Sequence, residues 1–143
     1  MPITVTAPRG VLTPQGERDI LPRLTDALLL ANEASGSRFF RWITGGSVHL
    51  LDPEAIFGGG ANRPLVMVEV KLPDIGLADE ASRATFIAAA TDVVAELAVA
   101  GHDRDDIWVN ILNAPSGAWG IGGRAFTGAD LVAAAERDAA AAP

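Results

Sequence analysis

Pro2 stands directly ahead of an alternating run, Ile3-Thr4-Val5-Thr6-Ala7. An initiator methionine before so small a residue is expected to be removed, leaving Pro2 with a free secondary amine. Such an amine can act as base or nucleophile, and proline has it only at a chain end. In any molecule that keeps Met1, the same nitrogen is an amide without basicity. Asp106-Ile107-Trp108-Val109-Asn110 puts Trp108 and Asn110 on one face of a strand. That pair reads as a pocket wall with a hydrogen-bond donor, or as a core tryptophan beside an edge asparagine. Trp119-Gly120-Ile121-Gly122-Gly123-Arg124 is a glycine-rich loop with one aromatic. It reads as a phosphate nest or as a turn that brings backbone close, and it lacks GxGxxG spacing. Arg38, Arg41 and Lys71 lie near expected strand ends, where a cation clamps an anionic substrate or is simply solvated. His49 and His102 have no nucleophile or metal context. Asp103, Asp105 and Asp106 read as a solvated turn without the calcium-loop pattern.

Composition narrows the chemistry. The 143 residues contain no cysteine, which excludes thiol catalysis, disulfides and cysteine-held zinc. The net charge of −7 argues against a nucleic-acid partner. No apolar run approaches a membrane span, and the first residues lack the features of a secretory signal. The expected setting is therefore cytoplasmic. The length suits one domain, 1–143.

The elements that must position these residues follow one grammar used twice. After the first strand, Thr13-Pro14 is a helix N-cap with proline at the first helical position. Ile20, Leu21, Leu24, Ala27, Leu28 and Ala31 then share a helical face. Pro22 inside that pattern predicts a kink or a delayed start. Phe39 to Leu51 reads as one or two strands broken at Gly45-Gly46, and Phe57 to Asn62 as a glycine-rich loop. Pro64 to Leu72 is a strand with Val66, Val68 and Val70 on one face. Asp79 to Ala100 is a helix with Phe86, Ala90, Val93, Val94 and Leu97 as its core stripe, ended by Gly101. Ile107 to Leu112 is a strand, and Gly128 to Ala140 a final helix. The predicted fold class is α/β in an α+β two-layer arrangement. Two β-α-β halves, about 1–62 and 63–143, form a four-stranded sheet with two helices on one face. The bare sheet face calls for an oligomeric partner, unless it stays exposed in a monomer.

In their order along the chain, these segments resemble the tautomerase superfamily. Pro2-Ile3 and the run Gly117 to Gly123 resemble 4-oxalocrotonate tautomerase, and Leu12-Thr13-Pro14 is similar to cis-3-chloroacrylic acid dehalogenase. Phe57-Gly58-Gly59 and Asp106 to Asn110 resemble macrophage migration inhibitory factor. Asp105-Asp106 with Phe126 to Val132 is similar to malonate semialdehyde decarboxylase. The resemblance implies that Pro2 is the catalytic proline and that Trp119 is the aromatic wall around it. It makes Trp108 and Asn110 site residues, and Lys71 and Arg38 carboxylate-binding cations. Three positions depart from the pattern. Ser37 stands where the decarboxylase has aspartate, Leu28 where the dehalogenase has histidine, and Ile121 near its water-activating glutamate.

What the resemblance implies is a cofactor-independent isomerase. Pro2 would move a proton in a small 2-keto or enol carboxylate, in a homotrimer with the site at a subunit boundary. No metal or cofactor is implied. The alternatives are a proline-dependent decarboxylase, hydratase or dehalogenase of a small acid, or a non-catalytic oligomeric binding protein.

Overall fold

The computed structural model describes residues 1–142. Its elements are β1 (Ile3–Pro8), α1 (Pro14–Ala31), α2 (Arg38–Trp42), β2 (Gly46–Leu51), β3 (Phe57–Gly58), β4 (Ala61–Asn62), β5 (Val66–Leu72), α3 (Glu80–Leu97), β6 (Ile107–Asn113), β7 (Trp119–Ile121), β8 (Arg124–Phe126) and α4 (Gly128–Ala140). The main sheet is four-stranded in the order β2-β1-β5-β6. β1 is parallel to β2 and β5 to β6, while β1 and β5 meet antiparallel at the centre. Each half therefore supplies one parallel pair, joined across a helix. Two small antiparallel hairpins, β3–β4 and β7–β8, lie outside the main sheet.

Alternation decides which side chains enter the core. Ile3, Val5 and Ala7 of β1, and Val66, Val68, Val70 and Leu72 of β5, are buried beneath α1 and α3. α1 contributes Ile20, Leu24 and Leu28, and α3 contributes Phe86, Ala90 and Val94. The Thr13 hydroxyl caps α1 by accepting from the Gly16 amide at 2.9 Å. Gly16 lies against the end of α3, where a Cβ would stand 2.4 Å from the Leu97 carbonyl oxygen. Only glycine permits that approach.

The structure departs from the sequence reading in five places, the first being Phe57 to Asn62, which forms the β3–β4 hairpin rather than a loop. Pro22 neither delays nor interrupts α1, which runs through it. Pro22 and Arg18 are both exposed, so the carbonyl that loses its partner faces water. Arg38–Trp42 is helix rather than strand, because the Ser37 hydroxyl caps it by accepting from the Phe40 amide at 3.1 Å. α3 ends at Leu97 rather than at Gly101. The backbone turns extended at Ala98, the Val99 amide bonds to the Val11 carbonyl at 2.8 Å, and Gly101 serves the turn beyond, at φ +84°. Finally, Asp106 is not solvated like the rest of its turn. It is buried and accepts from Arg63 Nε at 2.6 Å.

The other sheet face is open in this chain. Thr4 and Thr6, Met67, Glu69 and Lys71, and Trp108, Asn110 and Leu112 point to it. Trp108 and Leu112 are among the exposed large hydrophobic residues. No helix among the described residues is long and apolar enough to cross a membrane.

Candidate active site

The central register places Pro2. Ile3 pairs with Val70, and the Pro2 carbonyl accepts from the Lys71 amide at 3.1 Å. Pro2 and Lys71 are therefore cross-strand neighbours at one end of the sheet, and both side chains are exposed. Strand β1 starts where α2 ends: the Ile3 amide bonds to the Gly45 carbonyl at 2.8 Å. Ahead of Pro2, Met1 folds inward and is only 5% exposed, with its amine donating to the Ile43 carbonyl. In this form the Pro2 nitrogen is an amide.

The β7–β8 hairpin closes over this end. Its turn is Gly122-Gly123, at φ +59° and +80°, values that L side chains rarely adopt. Met1, Pro2, Trp42, Ile43 and the strand Trp119-Gly120-Ile121 line an open cleft of about 250 Å³. Trp119 packs against the core at its edge, whereas Trp42 is 72% exposed at the rim. On the other side of Met1 lies a second cavity of about 230 Å³, walled by Ala34 and Phe40, by Ile75 and Gly76, and by Val132 of α4. None of the lining residues of either space is charged. Burial in this setting lowers the pKa of the Met1 amine from 8.0 to about 6, because desolvation disfavours the ammonium.

Of the residues singled out from the sequence, the fold brings Pro2 and Trp119 into one cleft and sets Lys71 beside them. It does not bring the other three there within one chain. Arg38 is held by Asp138 of α4, with Nη2 at 3.1 Å from the carboxylate and 3.2 Å from the backbone carbonyl. It lines a separate open groove between α2 and α4. Trp108 pairs in register with Met67, four residues along β5 from Lys71, which is roughly 13 Å at strand rise. Its indole N–H donates to the Asp105 carbonyl at 3.1 Å. Asn110 pairs with Glu69 midway along the edge strand β6, on the open face. Arg41, also weighed as a clamp, pairs with Asp26 at 2.8 Å.

Sequence reading missed Trp42 and Ile43, because the Phe39-Phe40-Arg41-Trp42 run reads as strand. It also missed Arg124, which pairs with Ile121 across the hairpin and so shares the face that lines the cleft. The Arg124 guanidinium lies 4.6 Å over the Phe126 ring and 4.0 Å from Asp130. The signal available was its place just after the paired glycines. Among the described residues, no group of three or more His, Asp or Glu side chains could hold a metal ion.

No family model matches the sequence, and no curated protein does either. Solved structures do match. A member of the cis-3-chloroacrylic acid dehalogenase family superposes with a TM-score of 0.74 at 17% identity, over 100% of this chain and 93% of its own. A wild-type fused 4-OT, solved as a symmetric trimer, gives 0.72 at 19% identity, over 91% and 98%. The macrophage migration inhibitory factor of Toxoplasma gondii gives 0.66 at 16% identity, over 88% and 100%. The chain thus has the fold of the tautomerase superfamily, which its sequence resembles.

Proposed function

We propose that this chain, once Met1 is removed, is a cofactor-independent keto–enol tautomerase of a 2-keto or enol carboxylate. The observation that carries the reading is the uncharged cleft in which Pro2, Ile43 and Trp119 meet at the chain end. An ordinary α-amine titrates near 7.7–8.0. Desolvation by the same walls holds the Pro2 amine below that range and keeps a neutral base available at pH 7. Pro2 takes the proton from the enol oxygen and returns it to the adjacent carbon. The substrate carboxylate is held by Lys71, the cross-strand neighbour, with Arg124 as the second cation at the hairpin.

The reading includes a homotrimer. The open sheet face carries Trp108 and Leu112 exposed, and burying such residues between copies is favourable. Trp108 and Asn110, distant from Pro2 in their own chain, then act at a neighbouring copy's cleft. The symmetric trimer of the fused 4-OT supports this assembly.

Decarboxylation and hydrolytic dehalogenation are less well supported. Leu28 is buried in the core, and the Ser37 hydroxyl is spent capping α2. The second reading is a binding protein without catalysis, favoured by the docking of Met1 against Ile43.

The test is enol decay of 2-keto acids of graded chain length, followed with Met1-free chain whose intact mass has been checked. The tautomerase accelerates that decay, and Pro2→Gly removes most of the acceleration. Retention of Met1 in the natural protein, or full activity in Pro2→Gly, contradicts the tautomerase.

A further inference from the structure

Met1 separates two spaces. On one side is the cleft at Pro2, about 250 Å³, and on the other the cavity between α2 and α4, about 230 Å³. Its own chain is buried between them, in continuity with the core. Departure of Met1 therefore joins the two spaces at the Pro2 nitrogen, the atom that the same event turns into an amine. The inner cavity is mostly apolar in lining. Asn32 is its one polar side chain, and that amide is partly engaged: its oxygen accepts from the Leu77 amide at 2.8 Å, and one of its N–H groups donates to the Leu28 carbonyl at 3.0 Å. No side chain there carries a charge, so a charged substituent would lose its hydration without return.

We propose that the ligand of this site carries an unbranched apolar arm that enters the space Met1 leaves and runs between Ala34, Phe40, Ile75 and Val132. The occupant of the unprocessed chain supports this shape, since methionine is itself an unbranched apolar arm. The proposal rests on the tautomerase reading only in placing the acid group of the ligand at Lys71, beside Pro2. Val132 comes from α4 and stands 43% exposed at the edge of the cavity. α4 thereby becomes the element that sets the length and width of the arm. The substrate class is a 2-keto acid with an aliphatic tail, rather than a short or dicarboxylic acid.

The experiment titrates straight-chain alkanoates, from acetate to octanoate, into the full chain freed of Met1. Calorimetry and tryptophan fluorescence report binding. These acids have no keto group, so binding is read without turnover. Affinity is expected to rise about fourfold per methylene while the arm remains within the length of a methionine side chain, and then to level off. Val132→Trp, which fills the cavity from its edge, is expected to flatten that slope, and Ala34→Phe to do so from the opposite wall. The chain that keeps Met1 is expected to show no chain-length dependence. Equal affinity across the series, or the same slope in both filled variants, overturns the proposal. A steep slope in a chain without tautomerase activity keeps the pocket and removes the proton transfer. A flat slope in an active enzyme does the reverse.

Discussion

The two ends of the central strand pair are built alike but equipped differently. At one end β1 begins just after Pro2, and the β7–β8 hairpin closes over it with Trp119. At the other end β5 begins just after Pro64-Leu65, and the β3–β4 hairpin lies over it, with Gly58 against the Leu65 and Arg63 side chains. At the first end, removal of Met1 would give Pro2 a free amine in an uncharged cleft. The second is an unbroken chain, so the Pro64 nitrogen is always an amide. Its space, about 330 Å³, includes Arg9 and Arg63, and Arg63 is locked to Asp106 at 2.6 Å. A duplicated frame thus offers two similar pockets. Only one can carry amine chemistry, and the other has a structural ion pair where a reactive group would be.

The largest effect expected from breaking this asymmetry falls on Pro2. In Met1-free chain, Pro2→Gly should cut enol decay by about 10²- to 10⁴-fold, the usual worth of a positioned proton carrier, while Pro64→Ala should leave the rate within about twofold. Steady-state rates on the same substrate check both. Next comes the ion pair at the opposite end. Arg63→Ala leaves the Asp106 carboxylate buried without its guanidinium, and should cost about 1–3 kcal/mol of folding stability in urea titrations. The rate per folded molecule should not change. Lys71→Ala should raise KM for the anionic substrate about tenfold, equivalent to roughly 1.4 kcal/mol, with kcat much less affected.

The smallest effect is a pH dependence confined to chain that keeps Met1. Folding lowers the pKa of its amine from 8.0 to about 6 by desolvation, so the unfolded chain binds the proton more readily. Stability is then fullest above pH 8 and falls as pH drops from 8 towards 6. Urea midpoints of Met1-retaining chain should follow this fall more steeply than those of a chain with a blocked N-terminus.

The frame of both ends was legible because its signals are local. Thr13-Pro14 announces α1, the Val66, Val68, Val70 alternation announces β5, and the run Gly128 to Ala140 was read as the final helix that the structure shows as α4. What was not legible depends on residues far apart in the chain. Lys71 reaches Pro2 only through the antiparallel register of β1 with β5, and Asp106 meets Arg63 only because β6 pairs with β5, at the opposite end of the sheet. α2 is five residues long, too short for its periodicity to outweigh a run of aromatics. Trp42 and Ile43 were therefore assigned to a strand, and their place beside Pro2 was hidden. The shared face of Trp108 and Asn110 was read correctly, but the sequence carries no sign of how far along the sheet they stand from Pro2.

The central claim is that the cleft makes Pro2 a neutral base, and titration of its amine tests that most directly. Pro2 would be labelled with nitrogen-15 in Met1-free chain and followed by NMR from pH 4 to 10, alongside the pH profile of enol decay. The account predicts an amine pKa below the ordinary 7.7–8.0, and an acid limb of the rate profile at that same value. An amine titrating at or above the ordinary range, or a rate profile without that limb, would contradict it.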